Sequence, residues 1–219
     1  IHEFNLDPGH PVYVVFDIGS SGIQSDATSW VAFQWINNRL FIYDCGEGHG
    51  RALPEYVDDL QVKHYFAKIG AIILPWDGEH HEKAVNTTPA DMMRQRFPNV
   101  AVLAKSSKVW KIPGSRSGDY NIITDIQQTR MQLYNTIVHR GNCQWLLESM
   151  ENYKYEFNTR LQMWTQQPMH DKYSHMMDAL RYCVQSVREL DFFHGKFFDM
   201  PGHQEKAVDY EEDWAGVWA

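Results

Sequence analysis

Residues 11–16, Pro-Val-Tyr-Val-Val-Phe, are an unbroken run of β-branched and aromatic side chains that stops abruptly on Asp17. A strand with one wet face alternates apolar and polar residues, whereas an uninterrupted run requires cover on both faces. Two-sided cover implies a central sheet with helices packed against each side. A polar, glycine-rich turn follows (Ile18 to Ala27), so the ionisable Asp17 stands at the C-terminal end of the strand rather than inside it.

The rest of the chain fits such a sheet. Thr28 to Ile36 and Arg39 to Asp44 flank the pair Asn37-Asn38, which is a hairpin signature. Leu53-Pro54 opens a helix expected to run to about Ile69, with Gly70 as its stop signal. Ala71 to Leu74 reads as a short buried strand, and it too ends near an acid, Asp77. In Thr88-Pro89-Ala90-Asp91 the threonine can cap a second helix, the proline fits its first turn and the aspartate can reach back. Val100 to Ala104 is a further strand.

The order β-β-β-α-β-α-β predicts an α/β, ribonuclease H-like fold. Its central mixed sheet has three antiparallel strands first, then parallel strands, and is flanked by helices. Helical patterns return over residues 125–133 and 142–153, residues 153–165 alternate like a hairpin, and a last helix is expected over 172–188. This gives one domain over residues 1–189 and an acidic, aromatic tail over 190–219 without convincing periodicity.

Composition narrows the function. The chain has 219 residues, 43% of them hydrophobic, enough for one substantial core. Its net charge is -8, but seven acids crowd into residues 190–219 against Lys196 and Lys206, leaving the body close to neutral. Affinity for nucleic acid comes largely from cations that release condensed counterions, so any DNA contact is expected to be local or metal-assisted. Cys45, Cys143 and Cys183 lack C-x-x-C spacing, which argues against a disulfide framework or cysteine zinc site and for a reducing cytoplasm. No apolar run approaches the ~20 residues needed to span a bilayer, and no signal peptide is visible, so no membrane partner is expected. The chain begins with Ile1 rather than Met and reads as an excised piece.

Asp17, Asp77 and Asp178 stand out by position. An ionised carboxylate beside buried strands is costly unless paired or bound to a cation. If the first and fourth strands are parallel neighbours, their C-terminal ends bring Asp17 and Asp77 together. Asp178 lies in Asp-Lys-Tyr-Ser-His-Met-Met-Asp-Ala-Leu-Arg-Tyr, where Tyr173, Met176, Met177, Leu180, Val184 and Val187 form one helical stripe. Asp171, His175, Asp178 and Tyr182 form the opposite one. Taken alone that polar stripe is an ordinary solvated face; with the other two acids it supplies a third convergent carboxylate. Three hard oxygen ligands suit Mg²⁺ or Mn²⁺, and a metal pair ~3.5–4 Å apart can drive phosphodiester hydrolysis. A zinc site built from His80, His81, His170 and His175 is the rival, without H-E-x-x-H or Cys/His spacing to support it.

Val-Tyr-Val-Val-Phe-Asp-Ile-Gly-Ser-Ser-Gly-Ile-Gln-Ser-Asp-Ala-Thr-Ser-Trp, Ala-Ile-Ile-Leu-Pro-Trp-Asp-Gly-Glu-His-His-Glu and the helix carrying Asp178-Ala-Leu-Arg-Tyr together resemble the three acidic motifs of the nuclease domain of tailed-phage large terminase subunits. The resemblance spans roughly residues 11–188. It implies that Asp17, Asp77 and Asp178 are metal-binding catalytic acids holding Mg²⁺ or Mn²⁺, two ions in all. It further implies that the enzyme cuts concatemeric double-stranded DNA during viral genome packaging, in the host cytoplasm while docked on the procapsid. The implied partners are an N-terminal ATPase domain of the same polypeptide, the portal protein and the small terminase subunit. No G-x-x-x-x-G-K-[ST] loop occurs, so this chain is not expected to hydrolyse ATP.

Asp26 matches a frequent family acid as a supporting residue, or else caps a turn or strand. His175, one turn before Asp178, either moves a proton and orients the site or is an ordinary packed histidine. For DNA contact, Lys105, Lys108, Lys111 and Arg116 surround Trp110 in a basic loop that either tracks phosphates or is simply solvated. The acidic tail either docks on the portal or has no fixed structure. Asp-Ile-Gly-Ser-Ser also resembles the first phosphate loop of actin-like sugar kinases, but no second such loop follows and the chain is too short for their duplicated fold. Resolvase-type nucleases share similar acids, and a non-catalytic DNA- or portal-docking module is the alternative from another class.

Overall fold

In the computed structural model, which describes residues 1–19, 26–80, 87–103 and 122–192, the first apolar run is strand β1 (Val12–Asp17). With β2 (Thr28–Ile36), β3 (Arg39–Gly48), β4 (Ile69–Leu74), β5 (Val100–Val102) and β6 (Thr136–Val138) it builds a six-stranded sheet ordered β5-β4-β1-β2-β3-β6. β1, β2 and β3 pair antiparallel, while β4 runs parallel to β1, β5 to β4 and β6 to β3. This is the expected ribonuclease H-like mixed sheet. The link between β2 and β3 is the Asn37-Asn38 pair, at φ 49° and 59°. Both values lie in the left-handed region that asparagine tolerates and that a tight hairpin needs.

Both faces are covered, as the apolar run requires. On one, Val12, Val14 and Phe16 of β1 pack with Ile72 and Leu74 of β4 beneath α1 (Leu53–Gln61) and α2 (Pro89–Arg94). On the other, Val15 and Ile73 lie under α4 (Gln144–Asn152) and α5 (Ser174–Phe192), with Leu146, Met176, Ala179, Leu180 and Cys183 fully buried. α3 (Ile122–Leu133) packs beside α5. Side chains alternate along a strand, so Asp17 shares the parity of Val15 and belongs to the α5 side.

Several boundaries differ from the sequence reading. The helix opening at Leu53 ends at Gln61, and Gly70 lies inside β4. The reason is the buried Asp44, which accepts from Tyr65 Oη at 2.8 Å and pairs with Lys63 Nζ at 2.8 Å. Drawing both side chains onto β3 requires a turn where the periodicity favours a continuing helix. β3 extends past Asp44 to Gly48, and β6 has no counterpart in the sequence reading: three residues between two helices are too few to show a period. The cap of α2 forms as expected, Thr88 Oγ1 accepting from Asp91 N at 3.0 Å. The predicted hairpin is β7 (Tyr155–Asn158) paired with β8 (Met163–Pro168), a separate two-stranded sheet. Phe157, Leu161, Met163 and Trp164 are exposed on it. Residues 193–219, the end of the proposed tail, lie outside the described residues.

Gly46 shows why β3 continues. A Cβ there would lie 2.6 Å from the ring of Trp30, which is buried on the neighbouring strand. Gly46→Ala is expected to cost about 1–3 kcal/mol through overpacking. A thermal melt of this variant equal to wild type would refute that assignment of the glycine.

Candidate active site

The C-terminal ends of β1 and β4 lie side by side, with Val15 opposite Ile73 in parallel register. Asp17 is the last residue of β1. Asp77 follows β4 in a single 3-10 turn over Trp76–Glu79 and is exposed. Asp17 is 14% exposed, and above it α5 presents His175 and Asp178. His175 Nδ1 stands 3.6 Å from Asp17 Oδ2, a charge contact too long for a full hydrogen bond. The polar stripe of α5 is therefore turned towards the sheet end, and its neighbours Arg181, Gln185 and Ser186 are buried as well.

The electrostatics of Asp17 follow from this position. Burial is the main cause that pushes its carboxyl up to about 6; the nearby Asp178 charge adds to the rise, and His175 and Arg181 oppose it. His175 is in turn held above the ordinary histidine value, first by Asp17 and then by Asp26 and Glu47, against the effect of burial. Carboxylate charge is thus concentrated where the chain itself supplies only part of the compensation. A hard divalent cation suits such a place.

Two residues of the site escape a reading of the sequence. Across the sheet Asp17 pairs with Ser29 and Ser29 with Glu47, so the three form one row on one face. Ser29 Oγ donates to Glu47 Oε2 at 2.7 Å. Glu47 is hidden because Gly46 and Gly48 read as strand breakers. The second is Arg181, whose side chain is only 7% exposed; its Nη2 donates to Asp178 Oδ1 at 2.7 Å, and its Nη1 lies 3.6 Å from Oδ2 of the equally buried Asp125 on α3. An i, i+3 pairing from Asp178 is its only signal.

Asp26 lies near His175 and His170, with its Oδ1 3.9 Å and 3.5 Å from their respective Nε2 atoms. Among the described residues, Asp17, Asp77 and Asp178 do not form a group with donor atoms within 4.8 Å of one another. Lys105, Lys108, Lys111 and Arg116 lie outside the described residues, as does His81.

No family model matches the chain, and no curated protein matches it in sequence. Solved structures do. The nuclease domain of the P22 large terminase superposes with a TM-score of 0.59 at 16% identity, over 86% of this chain and 87% of that one. Its fold is that of a large terminase nuclease domain. The large terminase nuclease domain of bacteriophage SPP1, with bound Mn, gives a TM-score of 0.52 at 15% identity over 80% of this chain and 86% of that one. The large terminase of a thermophilic bacteriophage gives 0.56 at 14% identity, but the alignment covers 85% of this chain and only 42% of the phage protein. The terminase nuclease fold is therefore the part of a longer polypeptide that this chain matches.

Proposed function

We propose that this chain is the metal-dependent DNA endonuclease domain of a viral genome-packaging terminase, hydrolysing phosphodiester bonds of double-stranded DNA. The observation that carries the reading is Asp17: a carboxyl at the end of a central strand, charged against its burial, facing Asp178 and His175 on a terminase nuclease fold. Asp17, Asp77 and Asp178 would hold Mg²⁺ or Mn²⁺, two ions in all; the bound Mn of the SPP1 domain supports that choice of cation. When bound, such ions supply electrostatic stabilisation for the charge that develops on the phosphate and on the leaving oxygen.

The chain's own groups do the positioning. Arg181 fixes one oxygen of Asp178, so that the carboxylate is presented in one orientation. His175 stands against Asp17 and limits its movement. Asp77 is exposed on the turn that follows β4, at the same end of the sheet as Asp17. The setting proposed with this reading is a partner ATPase domain in the same polypeptide, the portal and the small terminase subunit, with docking on the procapsid in the host cytoplasm; the chain aligns with 42% of the thermophilic phage terminase, which fits a domain of a longer polypeptide.

The test is cleavage of supercoiled plasmid by the purified protein in Mn²⁺, Mg²⁺, Ca²⁺ or EDTA, with Asp77→Asn alongside. Nicking and linearisation in Mn²⁺ or Mg²⁺ are expected, abolished by EDTA and reduced at least ~100-fold in the variant, the scale at which loss of transition-state electrostatics acts. A folded protein that cuts under none of these metals would point to a docking module instead.

A further inference from the structure

Cys45 and Cys143, far apart in sequence, come together between β3 and the start of α4. Ala32 of β2 pairs with Asp44 and the adjacent Phe33 with Ile42, so Tyr43 is an extra residue in β3. Such a bulge shifts the alternation of side chains, and Cys45 falls on the face of Ile42, against the cluster that contains Cys143. Past β6 the chain turns back over this face: His139 N donates to the Ile42 carbonyl at 2.8 Å, and Cys143 N to the His139 carbonyl at 3.2 Å. Cys45 Sγ then lies 3.9 Å from the carbonyl oxygen of Asn142, and Cys143 Sγ 3.8 Å from that of Ile42. Each sulfur is set against the backbone of the segment that carries the other.

Cys143 immediately precedes the first turn of α4, and its side chain caps none of that helix's free amides. One of them, the Leu146 N–H, is directed at Cys45 Sγ instead. The Cys143 thiol, and after it this amide, hold Cys45 below the ordinary thiol value, against burial and the Asp44 charge. Cys143 is raised in turn, chiefly by Cys45. A sulfur at a helix N-terminus is favoured as the thiolate, the nucleophilic form, and a second thiol beside it can resolve the oxidised product. Cys45 is partly exposed while Cys143 is buried, so a small reagent meets Cys45 first. Cys183 is fully buried, and burial alone raises its thiol.

We propose that Cys45 and Cys143 form a reversible dithiol–disulfide site that reacts with hydroperoxides. With hydrogen peroxide, the Cys45 thiolate attacks one oxygen and breaks the O–O bond. The departing hydroxide takes up the proton that Cys45 released and leaves as water, and Cys45 becomes a sulfenic acid. The Cys143 sulfur then attacks the Cys45 sulfur; the sulfenic hydroxyl departs with the Cys143 proton as a second water, and the S–S bond closes. Two thiols are oxidised and one peroxide is reduced to two waters. A small dithiol reverses the bond by exchange. The bond ties β3, the strand that also carries Glu47, to α4. The proposal does not depend on the nuclease reading.

The experiment exposes reduced, folded protein to hydrogen peroxide, counts thiols after denaturation and maps the cross-link by mass spectrometry. Wild type and Cys183→Ser are expected to lose two thiols as a Cys45–Cys143 bond that dithiothreitol removes, whereas Cys45→Ser keeps both of its remaining thiols. In Cys143→Ser the sulfenic acid has no resolving partner, so dimedone should label Cys45 at least about tenfold more than in wild type. Three thiols retained in wild type, a bond that includes Cys183, or Cys143→Ser left unlabelled would each overturn the proposal. The wild-type cross-link map needs no variant to fold. DNA cutting plays no part in these readouts, so their failure and failure of the nuclease reading are separate results.

Discussion

Arg181→Ala is expected to destabilise the domain by about 3–5 kcal/mol, the cost of stranding a buried charge after its partner is removed. The guanidinium is 7% exposed and stands between Asp178 on its own helix and Asp125 on α3. Removing it takes the nearer cation from Asp125, also 7% exposed, leaving Arg188 as a charge partner, and leaves Asp178 facing Asp17 with less compensation. Denaturant melts of Arg181→Ala, Asp125→Leu and Arg181→Met/Asp125→Leu would separate the terms. The double variant should recover most of the loss at Asp125, because an apolar pair of similar volume needs no compensation. Equal destabilisation in the single and double variants would instead assign the effect to lost packing.

Asp17→Asn is expected to raise stability while abolishing cleavage. The carboxyl is pushed from 3.8 up to about 6 in the fold, chiefly by burial. Between about pH 4 and pH 6 the folded chain therefore holds a proton that the unfolded chain has released, and stability must fall as pH rises through that window. The ionised group costs up to about 3 kcal/mol once the pH is above its folded value. In EDTA, Asp17→Asn should melt above wild type at pH 7.5, with the gap closing towards pH 4. A divalent cation should narrow the gap at pH 7.5 by stabilising only the wild-type folded state. A variant that melts below wild type at both pH values would mean that Asp17 is held by favourable contacts, not against its burial.

The parts of the fold that can be read in advance are those written in long or strongly marked segments. The apolar run of β1, the Asn37-Asn38 hairpin and the Thr88 cap each follow from local chemistry, and each appears in the structure. β6 and the end of α1 depend on contacts distant in sequence: β6 pairs with β3, and Asp44 pulls in Lys63 and Tyr65. The acids at strand ends are legible because position alone makes them conspicuous. Glu47 and Arg181 are not, since one follows a glycine that only the ring of Trp30 explains, and the other looks like any helical arginine until α3 is in place.

α5 is at once a wall of the core and the mount for the site. Met176, Ala179, Leu180 and Cys183 are fully buried, and His175, Asp178 and Arg181 are interleaved among them. A packed interior does not deform smoothly, so the spacing between Asp178 and Asp17 is set by the volumes of side chains that never meet DNA. Drift in sequence along this helix is confined to exchanges that conserve volume. A methyl group gained or lost at Ala179 would register first in the alignment of the acids and only afterwards in whether the chain folds.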